Sequence, residues 1–247
     1  MTYAVFTENL TKKFGDFTAV DNLSLTIEYG CIYGLLGSNG SGKSTTIRML
    51  CGVLPKSAGT IKIFGRDIHD LAEIKTQIGY MSQKFSLYPD LTVLENIKFY
   101  AGLYGVKKNI LPERIDEVLE MAGVTAKQNL PVKNLTGGWR QRLALGCAII
   151  HKPQLLFLDE ATSGADPRAR RKFWQIIQNL AQSGVTVIVT THFMEEAQLC
   201  YRIGFLHQGK MLIDDTPANL KRLLPKPDVS LNEIFAYLVR QKAVNIA

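Results

Sequence analysis

A glycine-rich segment near the start of the chain has the spacing of a phosphate-binding loop. It fits the pattern GxxxxGK[ST] and consists of Gly37, Ser38, Asn39, Gly40, Ser41, Gly42, Lys43, Ser44 and Thr45. It follows an apolar run, Ile32–Leu36, and precedes a helical pattern, which is the context that such a loop requires. Glycines let backbone N–H groups turn inward around a phosphate, Lys43 can reach the terminal phosphates, and the Ser44 hydroxyl can ligate Mg²⁺. The alternative is an ordinary glycine-rich turn, but the flanking patterns favour nucleotide binding.

Two carboxylates follow a second apolar run. Leu155–Leu158 leads directly into Asp159 and Glu160, which we expect at the carboxyl end of the sheet, beside the phosphate loop. There Asp159 can hold Mg²⁺ through its water shell, and Glu160 can orient and partly deprotonate an attacking water. An acidic pair after a strand often only caps a helix, so this interpretation depends on the phosphate loop upstream.

Apolar runs and turn residues predict the strands that position these side chains. Ile32–Leu36, Leu155–Leu158 and Val185–Val189 are continuously apolar, which is typical of central parallel strands covered by helices on both faces. The first quarter of the chain contains shorter strand patterns separated by turn chemistry. These strands are predicted at Thr2–Thr7, Leu23–Ile27 and Ile61–Phe64, and the turns at Gly15-Asp16, Tyr29-Gly30 and Gly65-Arg66-Asp67.

Helix starts are marked by capping residues. Thr92 with Glu95, and Ser230 with Glu233, have the spacing of a capping box. Asp166-Pro167 combines an N-cap residue with proline at the first helical position and predicts a helix through Leu180. Glu113–Ala122 repeats apolar residues at helical spacing, so the middle third of the chain is predicted to be helical.

Between the phosphate loop and the carboxylates lies a segment that resembles the LSGGQ signature of ATP-binding cassette (ABC) proteins. It reads Leu135, Thr136, Gly137, Gly138 and Trp139. Other motifs of that family occur in order, over roughly residues 3–215. Gln83 resembles the Q-loop glutamine, Ser163 and Asp166 lie in a segment similar to the D-loop, and His192 is similar to the switch histidine. Phe14 lies where the family places an aromatic ring that stacks on adenine, although Phe17 is close by and either ring could be part of the core.

The resemblance implies an α/β fold: a P-loop NTPase with a RecA-like parallel-sheet core, an N-terminal antiparallel β subdomain and an inserted α-helical subdomain. It implies a nucleotide-binding domain over residues 1–220, with helices at about 88–150, and a C-terminal helical tail over residues 221–247. It also implies ATP hydrolysis with Mg²⁺, held by Ser44, Gln83 and Asp159. Two cassettes would face head to tail, so that each ATP lies between one phosphate loop and the signature of the other copy.

Three positions depart from the family pattern. Thr136 replaces a serine but keeps the hydroxyl, so it can still cap a helix. Trp139 replaces a glutamine, and an aromatic ring cannot copy the hydrogen bonds of an amide. Ala165 replaces a larger apolar residue and could loosen the dimer seam. The residues that carry the chemistry are unchanged, which predicts an active ATPase.

Two segments, one rich in aromatic residues and one near the C-terminus, indicate the class of ABC protein that the chain resembles. Phe85–Gly105 is rich in aromatic residues and falls where the family receives a coupling helix of a membrane subunit; the alternative is that these rings are core. The segment around Ser230–Phe235 is similar to the C-terminal helix of ATPase subunits of ABC-2 type exporters. We therefore expect transmembrane permease subunits and a second cassette as partners, and no nucleic acid. The alternative is a soluble or regulatory ABC-type ATPase that is not engaged in transport.

Composition fits a folded globular protein. The 247 residues are 46% hydrophobic and 21% charged, and the net charge is +7 with the basic residues dispersed. The longest uncharged stretch contains too many amides to span a bilayer, and the opening residues do not resemble a secretion signal. Four cysteines without metal-ligand spacing are predicted to be buried, reduced thiols. We expect a cytoplasmic location, peripheral on the inner face of the cell membrane.

Overall fold

The computed structural model describes residues 3–68, 74–83, 87–224 and 229–244. The chain divides into two compact units, one made of Met1–Leu71 with Thr186–Ala247 and the other of Ala72–Val185. Within the described residues the strands are β1 (Tyr3–Phe14), β2 (Phe17–Glu28), β3 (Ile32–Leu36), β4 (Ala58–Ile63), β5 (Arg66–Asp67), β6 (Ile78–Met81), β7 (Leu155–Asp159), β8 (Thr186–Thr191), β9 (Arg202–His207) and β10 (Lys210–Asp215). The α-helices of the same ranges are α1 (Lys43–Leu50), α2 (Val93–Leu103), α3 (Leu111–Ala122), α4 (Gly137–Ile149), α5 (Pro167–Gln182), α6 (Met194–Ala197), α7 (Pro217–Lys221) and α8 (Leu231–Val244).

The first unit contains an antiparallel sheet and a set of parallel strands. The antiparallel sheet has the order β2-β1-β4-β5. Strand β3 pairs in parallel with β8 on one side and β9 on the other, and β10 is antiparallel to β9. Every residue of β3 and β8 is buried, as their unbroken apolar character predicts. The α/β class and the N-terminal antiparallel sheet are therefore confirmed.

Several boundaries in the antiparallel sheet differ from the sequence prediction. Strand β2 begins at Phe17 rather than Leu23, and β4 begins at Ala58 rather than Ile61. Strand β1 continues to Phe14, well beyond Thr7, because Asn9 adopts a left-handed conformation and register shifts carry the pairing past the polar residues. The turn predicted at Gly65-Arg66-Asp67 begins one residue earlier. Phe64 and Gly65 both have positive φ and form a two-residue hairpin turn, so that Arg66 pairs with Ile63 in β5.

The second unit combines parallel strands with a helical cluster. Strands β6 and β7 pair in parallel, and β7 is wholly buried. Helices α2, α3 and α4 share one hydrophobic core, to which α3 contributes the apolar positions that its periodicity predicts. The capping box at the start of α2 is present, with the Thr92 hydroxyl accepting from Glu95 N and the Glu95 carboxylate accepting from Thr92 N. The predictions of α2 from its capping box and of α3 from its apolar periodicity are therefore confirmed.

The C-terminal helix packs on strand β9. The ring of Phe235 in α8 lies 5.3 Å from the ring of Phe205 and 6.3 Å from that of His207, measured between centroids. Leu231 and Ile234 of the same helix are buried. The predicted capping box that starts this helix is formed by Ser230 and Glu233.

The burial predicted for the cysteines is confirmed with one exception. Of the free cysteines, Cys51, Cys147 and Cys200 are buried, but Cys31 is only half-buried because it lies in the loop before β3. Among the described residues, no helix has the length and apolar character to cross a membrane.

Asn96 holds the segment that leads into α2, and its loss should destabilise the second unit. The buried side chain of Asn96 accepts from Tyr88 N at 2.8 Å and donates to the carbonyls of Tyr88, Leu91 and Thr92. Asn96→Ala removes the partner of Tyr88 N and Tyr88 O, whereas Leu91 O still accepts from Val132 N and Thr92 O from the backbone N of residue 96. We therefore expect the free energy of unfolding in urea to fall by about 2–3 kcal/mol. The exposed Asn134→Ala should change it by less than about 0.5 kcal/mol. Equal stability of the two variants would contradict this role.

Candidate functional site

The phosphate loop connects the buried end of β3 to the first turn of α1. Gly40 and Gly42 have φ angles of 77° and 105°, and Gly42 is the N-cap of α1. The Lys43 side chain is buried in the loop, where Nζ donates to the carbonyl oxygens of Gly37 at 2.9 Å and Ser38 at 3.1 Å. Ser44 and Thr45 follow in the first turn of the helix, half-buried.

Neighbouring backbone supports this loop at close range. A Cβ atom on Gly37 would collide with the carbonyl oxygen of Leu206, so only glycine is accommodated there. From the turn between β9 and β10, Gly209 N donates to Ser41 O at 3.0 Å. The loop is therefore preformed, and with the first N–H groups of α1 it offers the donors and positive potential that a phosphate chain requires. Sequence reasoning missed the supporting turn, because nothing in residues 206–209 resembles a nucleotide motif.

His192 lies next to the phosphate loop in the same unit. Strands β3 and β8 are paired so that Leu36 is opposite Thr191. Gly37 and His192 therefore leave the sheet side by side at the carboxyl ends of parallel strands, where ligands of α/β proteins bind. The His192 ring is exposed and lies 4.1 Å from the ring of Phe193.

Phe14 and Phe17 face each other across the β1–β2 turn. Phe14 is 49% exposed and Phe17 is 64% exposed, so neither ring is part of the core. An aromatic ring that a folded chain leaves half in solvent is available for stacking on a planar ligand.

In the second unit, the two carboxylates end β7 as predicted. Asp159 is buried, and Glu160 adopts a left-handed backbone conformation with φ of 49°. Such a conformation in a residue other than glycine costs free energy and is concentrated at functional sites. The structure brings Gln83 to this position, where Nε2 donates to Glu160 Oε2 at 3.1 Å.

The signature and the D-loop border a shared cavity of about 580 Å³. Leu135 is buried, Gly137 and Gly138 form the first turn of α4, and Thr136 is the N-cap residue. The Thr136 hydroxyl makes no capping hydrogen bond, contrary to the expectation that it caps the helix. Since the first N–H groups of a helix have no intrahelical partner, this end of α4 can donate to an anion.

On the other side of this cavity, the D-loop is held by its own hydrogen bonds. Ser163 N donates to Glu160 O at 3.0 Å, which ties the D-loop to the end of β7. Asp166 caps α5 by accepting from Arg168 N and Ala169 N. The hydrogen bond from Ala169 N, with that from Arg168 N, lowers the pKa of Asp166. Asp166 is thus a charged helix cap at neutral pH.

Trp139 and Gln141 have partners that the sequence did not reveal. The Trp139 ring packs against the hydrophobic core shared by α2, α3 and α4, and Lys127 Nζ lies 4.5 Å from its centroid. The buried Gln141 side chain donates to the carbonyl of Ala161, two residues after Asp159. The signature helix is therefore linked directly to the carboxylate segment.

Comparisons with known proteins identify the family of this chain. The family model described as ABC transporter matches residues 20–163. The probable multidrug ABC transporter ATP-binding protein YbhF of Escherichia coli (strain K12) is 43% identical over 236 residues, which are 94% of this chain and 41% of that protein. The linearmycin resistance ATP-binding protein LnrL of Bacillus subtilis (strain 168) is 38% identical over 244 residues, 96% of this chain and 78% of that protein.

The chain thus spans less than half the length of YbhF and most of the length of LnrL. A solved structure described as the ATP-binding subunit of an ABC transporter superposes with a TM-score of 0.86 at 24% identity, covering 96% of this chain and 99% of that chain. The P-loop NTPase fold implied by the sequence is therefore confirmed. The chain belongs to the ABC transporter family.

Proposed function

We propose that this chain is the ATPase subunit of an exporter, and that it binds MgATP between two cassettes and drives separate permease subunits. The observation that carries the hydrolytic part is the hydrogen bond between Gln83 and Glu160, in a segment whose backbone is strained. A carboxylate held in this way is a suitable general base for water. Relatives named for multidrug transport and linearmycin resistance support the assignment to export.

The proposed metal ligands fit Mg²⁺, which prefers oxygen atoms in proteins. Ser44 provides a hydroxyl and Asp159 a buried carboxylate. Gln83 donates to Glu160 through its amide nitrogen, so its carbonyl oxygen is the side-chain atom that would ligate the metal. Bound Mg²⁺ would neutralise charge on the phosphates of ATP.

In the proposed reaction, Lys43 and the N–H groups of residues 37–45 bind the phosphate chain of ATP. Glu160 accepts a proton from the water that attacks the γ-phosphorus, while the bond to the β–γ bridging oxygen breaks. His192 contacts the γ-phosphate, and Phe14 stacks on adenine. The N–H groups of Gly137 and Gly138 bind the γ-phosphate held by the other copy.

We propose that the aromatic face of α2 receives a short helix of a permease subunit. Tyr88, Phe99 and Leu103 are exposed, and the rings of Tyr88 and Phe99 meet edge to face at 4.7 Å. Tyr100 and Tyr104 are partly buried against the helical core, so only part of this aromatic set is core. Phe85 lies outside the described residues. Docking here would hold the chain at the inner face of the cell membrane.

Replacing Lys43 tests nucleotide binding. Lys43→Ala removes a charged donor to the phosphates, so we expect the Kd for MgATP measured by calorimetry to rise by about 30-fold or more. Lys62→Ala, an exposed lysine on β4 of the same unit, should leave the Kd within about twofold. Unchanged affinity in Lys43→Ala would show that ATP binds elsewhere.

Replacing Glu160 tests the general base. Glu160→Gln keeps the shape of the side chain but cannot accept a proton, so we expect steady-state hydrolysis to fall by about 100-fold or more while MgATP still binds. Glu113→Gln on the surface of α3 is the matched control and should retain full turnover. If Glu160→Gln hydrolysed ATP at the rate of the unmodified chain, the base would have to be another group.

Replacing Trp139 separates pairing of the cassettes from chemistry. If the signature acts through Thr136 and the N–H groups of its glycines, Trp139→Gln should shift ATP-driven dimerisation. Single-turnover hydrolysis by the saturated dimer should change by less than about tenfold, equivalent to about 1.4 kcal/mol. Trp139→Phe keeps a ring beside Lys127 and should dimerise more like the unmodified chain. A large gain in rate for Trp139→Gln would instead indicate a slow regulatory cassette.

A further inference from the structure

Lys12 is a buried charged residue with no role in the known motifs. Its side chain lies at the end of β1, and the residue is only 9% exposed. Among the described residues, no carboxylate lies within ion-pair distance of its ammonium group. Burying an ammonium without a counter-charge costs free energy, so its partners must compensate for the lost hydration.

The partners of this ammonium are a carbonyl oxygen and an aromatic face. Lys12 Nζ donates to Pro55 O at 2.7 Å. The same nitrogen lies 4.9 Å from the centroid of the Phe14 ring, which is the distance of a cation–π interaction. Lys12 is buried while Phe14 is half-exposed, so the ring that contacts the cation still has area open to a ligand.

Strand β1 is irregular on both sides of Lys12. The register with β2 shifts between Leu10 and Lys12 and again between Lys12 and Lys13. Such irregularities re-aim side chains and are common beside active sites. The segment is also fixed to the start of β4, since Ser57 N donates to Thr11 O and the Ser57 hydroxyl accepts from Lys13 N.

Pro55 lies in the loop that leaves the phosphate-binding helix. Val53 N and Leu54 N both donate to Arg48 O, so this loop is folded back onto the last turn of α1. Through Pro55 and Phe14, Lys12 therefore joins the C-terminal end of α1 to the aromatic ring. The N-terminal end of α1 carries Lys43 and Ser44.

We propose that Lys12 is a positioning residue for adenine: its ammonium holds the Phe14 ring at a fixed place relative to α1 and polarises it for stacking. The inference rests on the proposed function, in which Phe14 stacks on the base. A ring that is already oriented loses less conformational entropy when the base binds. A cation behind the ring also withdraws electron density from the face that meets the purine.

The experiment measures base and phosphate binding separately, on the full 247-residue chain. The Kd values of MgATP and of inorganic tripolyphosphate with Mg²⁺ are determined by calorimetry for each variant. We expect Lys12→Met to raise the Kd of MgATP by about three- to tenfold and to change that of tripolyphosphate by less than about twofold. Lys12→Arg keeps a cation and should restore the affinity for MgATP.

Two further variants distinguish the charge from other effects. Lys12→Gln keeps a donor that can reach toward Pro55 O but has no charge, and it should behave like Lys12→Met; it also serves if Lys12→Met does not fold. Lys13→Met removes an exposed charge next in sequence and should bind both ligands normally. Equal weakening of both ligands by the Lys12 variants, or the same effect in Lys13→Met, would overturn the proposal.

Phe14→Ala separates this inference from the proposed function. If Phe14 stacks on adenine, Phe14→Ala weakens MgATP but not tripolyphosphate, and Lys12→Met then adds less than about a further twofold in that background. If Phe14→Ala leaves the affinity for MgATP unchanged, the stacking role itself is wrong. If Phe14→Ala weakens MgATP and Lys12→Met does not, stacking stands and the role of Lys12 is refuted.

Discussion

The phosphate loop keeps its shape because its backbone packs directly against the backbone of neighbouring strands. Gly37 abuts the carbonyl of Leu206, Gly42 abuts the carbonyl of Ala19, and Ser41 accepts a hydrogen bond from Gly209. Because backbone meets backbone at these contacts, they restrain the loop even when no phosphate is bound to its N–H groups. Its N–H groups are held in place by contacts that are independent of nucleotide, which is electrostatic preorganisation in its simplest form.

In the second unit, side-chain and backbone hydrogen bonds hold the segment around Glu160 in place. Glu160 is held in a left-handed conformation while Gln83 donates to its carboxylate, and Ser163 donates to its carbonyl. The buried amide of Gln141 links the same segment to α4. Glu160, the D-loop and the signature helix are thus joined by hydrogen bonds within one compact unit.

Much of this arrangement is predictable from sequence, for identifiable reasons. Strands β3 and β7 are buried on both faces, so their apolar runs had no competing interpretation, and the Asp166-Pro167 pair specified the start of α5 through local hydrogen bonds. Strand β1 was underestimated because its polar second half is stabilised by pairing with β2 and β4, which no local pattern records. The sequence shows that Trp139 departs from the family pattern. Its contact with Lys127 is not predictable from sequence, because it depends on where the fold places the turn that contains Lys127. The supporting turn at residues 206–209 contacts the loop through backbone atoms. Since most residue types can make such contacts, the amino-acid sequence does not reveal them.

Strand β9 separates the C-terminal helix from the phosphate loop by the thickness of one strand. Phe205 and His207 face Phe235 of α8, while Leu206 between them reaches toward Gly42 on the opposite side, as strand alternation requires. The tail is therefore not a freely exchangeable module. In a chimera that grafts the tail of one family member onto the cassette of another, the aromatic residue at position 235 and its two partners on β9 would have to be transferred together.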